Sequence, residues 1–175
     1  MWVFIFAEMS VFVLAFILYL QARSNEVDLF RTSQATLSQG YGTLNTVVLL
    51  SASACVYLGL KAIRAGDAQV APWLMGAAVV LAVAFCAIKA FEWSDKASHQ
   101  IDPSTNDFYS YYFVLTGLHL FHVVCGIGVL VALTVQARRT DFSPTRTMVV
   151  EGGTVWWHMV DLNWMILFPL LYLAR

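Results

Sequence analysis

The sequence predicts an all-α fold, a membrane bundle of five transmembrane helices, and three observations predict it. Hydrophobic residues make up 59% of the 175 positions, charged residues only 12%, and the mean hydropathy is +0.69. A soluble domain carries about twice that charged fraction. Five apolar runs occupy 2–21, 42–60, 72–93, 109–136 and 154–173. Each is about 20 residues long and so able to cross a hydrocarbon core of roughly 30 Å. The runs are also continuous, whereas a membrane barrel is built from short segments of alternating polarity.

The first run follows Met1 with no basic region ahead of it and no small-residue cleavage site, so it reads as a span rather than a signal peptide. "ARSNEVDLFRTSQATLSQGY" reads as a polar connection to the second run. The third opens at Ala71-Pro72, where proline suits the first turn. Before the fourth, "STND" supplies short polar side chains able to cap it. "ARRTDFSPTRTMVVEGG" leads into the fifth. No connection is long enough for a second domain, so 1–175 is read as one domain. No internal repeat is evident, which argues against an inverted-repeat transporter.

Basic residues set an expected orientation. Lys61, Arg64, Arg138, Arg139 and Arg146 fall on one side with the amino terminus. Arg23, Arg31, Lys96 and Arg175 fall on the other, diluted by Glu26, Asp28, Asp95, Asp102 and Asp107. The positive-inside rule then predicts a cytoplasmic amino terminus and a periplasmic carboxyl terminus.

Several classes of chemistry find no support. A net charge of −1 without a basic run gives nothing to track nucleic-acid phosphates. Cys55, Cys86 and Cys125 sit in apolar stretches without CxxC spacing and read as small core residues. HExxH, a phosphate-binding loop and a Ser-His-Asp order are all missing, so neither a catalytic nor a metal site is expected.

The informative residues are the ionisable ones inside the runs, each costing about 2.5–3.5 kcal/mol at mid-helix. They are Glu8 in the first run, Lys89 and Glu92 in the third, His119 and His122 in the fourth, and His158 and Asp161 in the fifth; Asn45 and Asn163 add amides. A rise of 1.5 Å per residue places Glu8 roughly 6 Å to one side of the midplane, His122 near it, Asp161 within about 4 Å and His158 roughly 8 Å away. These four are expected to meet in one inner layer. Asn45, Lys89 and Glu92 form an outer layer near helix ends, with Lys89 paired to Glu92 at i,i+3 and snorkelling outward. His119 lies between the layers.

Plainer readings stand beside these. Glu92 can be merely interfacial, the helix-4 histidines can stitch helices together, and His158 can satisfy Asp161 at i,i+3. Glu8 has no basic neighbour on its own helix and requires a partner across the bundle, with His122 favoured on depth. A haem b site would need two histidines at matched depth, yet His122 and His158 are offset by roughly 8 Å. A small proton channel using the inner layer is a third reading. Trp157 and Trp164, with Trp156, mark the fifth run as aromatic. Trp2, Trp73, Trp93, Tyr109, Tyr111 and Tyr112 suit interfacial belts, and Gly117, Gly126 and Gly128 allow close helix contact.

Five motifs in order, "FAEMSVFVLAF", "GTLNTVVLLSAS", "KAFEW", "FYSYYFVLTGLHLFHVVCG" and "EGGTVWWHMVDLNW", resemble the cytochrome c oxidase subunit III family. "VLTGLHLFHV" and "LFPLLYL" look most like its five-helix, NorE-type branch associated with nitric oxide reductase; subunit III of an oxygen-reducing terminal oxidase is the close alternative. Leu162-Asn163 departs from the usual apolar pair between the aspartate and tryptophan of the last motif.

The resemblance implies an accessory subunit without catalytic site or cofactor, in a bacterial inner membrane. It would pack against a catalytic haem–copper subunit, hold structural phospholipid and support proton uptake. It also implies that the family's buried carboxylate falls on Glu8 and its helix-4 histidines on His119 and His122. The helix-3 glutamate falls on Glu92, and the late motif on Trp157, His158 and Asp161.

Overall fold

The computed structural model describes residues 2–138 and 144–174, with backbone only for 144–147. The elements are α1 (Trp2–Asn25), α2 (Val27–Ala35), α3 (Gln39–Arg64), α4 (Val70–Ser98), α5 (Asp107–Ala137) and α6 (Pro144–Phe168), followed by a π turn (Pro169–Leu173). Among the described residues, α1, α3, α4 and α5 are long and apolar enough to cross a membrane. The fifth expected span falls on α6 and the π turn, which do not reach that combination of length and apolarity. Of the residues used for orientation, Arg139 and Arg175 and the side chain of Arg146 lie outside the described set.

Helices α3, α4, α5 and α6 pack in sequence and close a ring, α6 returning to α3. The buried positions of α3 and α4 include the small or flexible Ala52, Gly59, Ala71, Met75, Ala78 and Ala82, and a Cβ on Gly59 would stand 3.0 Å from Met75 Cε across the α3–α4 contact. Lipid tails are as apolar as a helix face, so membrane helices gain by close backbone approach rather than by leaving water. On the outside, α1 crosses α5 and α6, burying only Ile5, Phe12, Phe16 and Tyr19. Its other faces present Val3, Phe6, Val13 and Leu14 outward.

Three boundaries differ from expectation. The supposed connection between the first two runs contains α2, a nine-residue helix that buries Phe30, Ser33 and Gln34 at helical spacing. α4 continues to Ser98, past the end expected at 93. α6 starts at Pro144, ten residues before the expected 154. Gly152 and Gly153, which end the expected connection, lie within the helix, and a Cβ on Gly153 would lie 3.0 Å from Val129 Cγ1, so that glycine serves approach of α5.

Chain ends and loops are tied by side chains. Asn106 Oδ1 accepts from the Tyr109 amide at 3.0 Å and caps α5, as "STND" suggests. In the α4–α5 loop the Asp102 carboxylate accepts from the Ser104 hydroxyl at 2.6 Å and its amide at 2.8 Å, and these bonds hold the carboxyl below its usual range. Pro169 cannot donate to the preceding turn, and the backbone widens so that the Ala174 amide reaches the Pro169 carbonyl at 2.9 Å. Carbonyls left open there are met from three other helices. Tyr19 Oη and Gln34 Nε2 donate to Leu170, Gln34 also to Leu171 at 2.9 Å, Gln39 to Tyr172 at 3.2 Å, and Arg23 to Ala174.

Candidate functional site: two buried polar centres

Glu8 and His122 meet across α1 and α5, with Glu8 Oε2 2.9 Å from His122 Nε2. The other ring nitrogen, Nδ1, donates to the Leu118 carbonyl at 2.8 Å. A carbonyl can only accept, so Nδ1 carries hydrogen. Nε2 then either accepts from a protonated Glu8 or, as imidazolium, donates to its carboxylate. Either way the pair holds one proton between carboxyl and imidazole. Phe12 packs its ring edge-on against His122, with centroids 5.1 Å apart. The pair opens onto a cleft of about 490 Å³ lined by Phe4, Glu8, Phe121, His122, Cys125, Val129 and Trp156, and Glu8 keeps 26% of its side chain exposed there.

The inner layer expected from depth alone is replaced by two separate pairs. His158 and Asp161 lie on the α3 side, 3.3 Å apart, and His158 Nδ1 is 2.7 Å from Ser53 Oγ. Helical rise fixes height but not azimuth, and His122 and His158 leave their helices toward different neighbours. Among the described residues no group of three or more His, Cys, Asp or Glu side chains could hold a metal. Both nitrogens of His122 are engaged within the chain.

The outer centre differs more from expectation. Lys89 does not snorkel outward: it and Glu92 are each 1% exposed, with Nζ 2.9 Å from Glu92 Oε2. Because α4 runs on to Ser98, Lys89 lies inside the helix rather than at its end. Lys89 Nζ also donates to Tyr112 Oη at 3.2 Å and Tyr172 Oη at 2.8 Å, which uses all three ammonium hydrogens. Both tyrosines in turn donate to Glu92 Oε1, at 2.9 Å and 2.6 Å. The result is a closed, net-neutral ring of an ammonium, a carboxylate and two phenols drawn from α4, α5 and the π turn. Nζ further sits 4.9–5.4 Å from the ring centroids of Tyr112, Trp164 and Tyr172. A buried ion pair offsets its desolvation only when the remaining lone pairs and protons are also met, and the tyrosines meet them here.

Asn45, expected in this layer, is fully buried, but its amide has no partner among the described residues. His119 is likewise enclosed, between Phe85 and Trp164 at 5.6 Å and 5.2 Å, with neither ring nitrogen hydrogen-bonded to a described residue. Among the described residues Asn163 reaches only the Met159 sulfur, at 3.5 Å. Trp164 Nε1 donates to Thr46 at 3.0 Å, while Trp157 is fully buried against Gly126. Sequence reasoning treated Tyr112 as a belt aromatic and passed over Tyr172 and Ser53. The available signal was chemical: a buried Lys–Glu pair demands extra hydroxyl partners.

Comparison with known proteins gives these centres a family setting. Residues 1–174 match the family model described as cytochrome c oxidase subunit III. A "Cytochrome c oxidase subunit 3" of Synechocystis is 30% identical over 97% of this chain and 72% of its own length. One of Corynebacterium diphtheriae is 24% identical over 99% of this chain and 85% of its own. A "Heme-copper oxidase subunit I+III" of Aeropyrum pernix is 29% identical over 99% of this chain, which corresponds to 22% of that protein. With a family model covering all but the last residue, the chain belongs to the cytochrome c oxidase subunit III family.

Proposed function

We propose that this chain is a non-catalytic accessory subunit of a haem–copper respiratory complex, packed against and stabilising the catalytic subunit and binding structural phospholipid. The observation that carries this is the family match over residues 1–174, joined to a relative whose name combines subunits I and III in one chain. The internal chemistry agrees with it. The Lys89–Glu92–Tyr112–Tyr172 ring is closed to substrate, and Glu8 and His122 face an apolar cleft rather than a reaction chamber.

The membrane topology we favour has five crossings, with the amino terminus cytoplasmic in a bacterial inner membrane. α6 supports the fifth crossing by length, since its 25 residues extend roughly 37 Å. The complex is read as a nitric oxide reductase from the "VLTGLHLFHV" and "LFPLLYL" segments. The oxygen-reducing reading is favoured by the oxidase names of the relatives.

Purification in mild detergent from the native membrane tests all of this. A haem–copper catalytic subunit is expected to co-purify in stoichiometric amount, and the preparation's consumption of nitric oxide or oxygen decides the acceptor. A Soret band belonging to the separated chain would overturn the accessory reading in favour of a haem b anchor. Proton flux in liposomes without a partner, abolished by Glu8→Gln, would overturn it in favour of a channel.

A further inference from the structure

A second concavity, of about 760 Å³, lies between the start of α4 and the end of α5. It shares no lining residue with the Glu8 cleft, and its chemistry changes along its length. At the mouth are Gln69 and Arg138, the latter just past the last turn of α5. Further along the helices the wall becomes Trp73, Gly76, Val80 and Thr134. The Thr134 hydroxyl already donates to the Leu130 carbonyl at 2.8 Å, so beyond the Trp73 indole this part is mainly apolar.

Three observations bear on what fills it. Arg138 is exposed, and its guanidinium has no hydrogen-bond or ion-pair partner among the described residues. The nearby carboxylate, Asp67, is occupied in capping the amides of Gln69 and Val70 at 3.1 Å and 3.0 Å. Gly76 is not demanded by packing, because an added Cβ would meet nothing within 4 Å. Trp73, at 83% exposed, stands where an interfacial indole suits the boundary between headgroups and acyl chains. A cation without a partner among the described residues at the polar end, an indole at the boundary and an open apolar trough beyond match one occupant in polarity.

We propose that this α4–α5 groove is a binding site for an anionic phospholipid. Its phosphate would lie against Arg138 and Gln69, and one acyl chain along Gly76 and Val80. The site rests on α4 and α5 spanning the membrane, and it does not involve Glu8 or His122. Arginine selects the phosphate because its guanidinium presents a planar fork of donors, and Gln69 adds a neutral donor beside it.

The test uses the purified complex reconstituted in phosphatidylcholine nanodiscs containing phosphatidylglycerol with a photoactivatable acyl chain. Light-induced adducts, mapped by peptide mass spectrometry, are expected on the α4 segment around Gly76 and Val80. Arg138→Gln should lower that labelling about fivefold, the factor one basic side chain contributes at an anionic lipid surface. Arg138→Lys should retain most of it, and Gly76→Leu should exclude the chain by filling the trough. Labelling that is indifferent to both Arg138→Gln and Gly76→Leu would overturn the site. So would displacement of the lipid by inorganic phosphate, since that would make Arg138 a simple anion contact. Failure of the unaltered chain to co-purify with a catalytic subunit, with its labelling still lowered by Arg138→Gln and Gly76→Leu, would instead count against the accessory-subunit reading while leaving the groove supported.

Discussion

The Tyr172 hydroxyl donates to Glu92 Oε1 at 2.6 Å across 80 residues of sequence, fastening the last turn of the chain to an ion pair buried in α4. Tyr112 does the same from α5, so three separate segments depend on one carboxylate. The charges themselves are costly in hydrocarbon, and the ring is tolerable only while complete.

Removing one charge is therefore expected to be worse than removing both. Lys89→Met leaves the Glu92 carboxylate buried without its cation and should destabilise the subunit by about 3–5 kcal/mol. The double variant Lys89→Met with Glu92→Leu should recover much of that loss, because no isolated charge remains. Thermal unfolding of the detergent-solubilised complex reads the difference. Equal losses in the single and double variants would mean that the ring contributes shape rather than charge pairing.

The Glu8–His122 contact calls for a smaller effect, because Glu8 is partly exposed in its cleft. Coupling between polar partners on membrane helices averages about 0.6 kcal/mol and reaches roughly 1.7 kcal/mol. A double-mutant cycle through Glu8→Ala and His122→Ala should fall in that range. Glu8→Gln should be nearly neutral, since its amide can donate to Nε2 of an imidazole whose Nδ1 hydrogen is held by Leu118. A loss for Glu8→Gln as large as that for Glu8→Ala would show that the carboxyl itself is required.

How much of this was legible in the sequence follows from what hydropathy measures. Long apolar runs report which segments leave water, and they located α1, α3, α4 and α5 within a few residues. The same signal passes over α2, because nine residues with a single large buried apolar side chain, Phe30, leave no hydropathy peak. Depth arithmetic brought Glu8 and His122 to one height, and they do meet. It also grouped His158 and Asp161 with them, which the packing refuses, since height carries no direction around a helix. Lys89 looked terminal only because the polar residues 94–98 were read as loop. With those residues helical, Lys89 lies within α4, and its direction around the helix turns it to Glu92, Tyr112 and Tyr172.

Glycine positions separate tolerance from demand on the two faces of α5. A Cβ on Gly126 would stand 2.8 Å from Trp157 Cζ3, inside the packed α5–α6 contact, whereas one on Gly128 meets nothing within 4 Å. Gly126→Ala must move a fully buried indole and should cost about 1–3 kcal/mol, the usual range for overpacking. Gly128→Ala should be neutral or slightly stabilising, because alanine is the better helix former. Thermal midpoints of the two variants, measured side by side, check this. Equal midpoints would place Trp157 away from Gly126.

Gln34 provides the sharpest test of what α2 is for. Its side-chain amide donates to the Leu170 and Leu171 carbonyls at 3.2 Å and 2.9 Å, and these are among the acceptors that Pro169 and the π turn leave open. Gln34→Leu preserves bulk but withdraws the donor from the buried Leu171 carbonyl and one of two donors from Leu170, which Tyr19 still serves, at an expected cost of about 1–3 kcal/mol. The loss should be local. Backbone amides of the π turn should exchange with deuterium faster, while those in the middle of α3 and α4 stay protected. Pro169→Ala restores a donor and lets the ordinary helical register re-form, so the combined variant should lose less protection than Gln34→Leu alone. Uniformly faster exchange throughout the bundle would show instead that α2 supports the whole fold rather than securing its final turn.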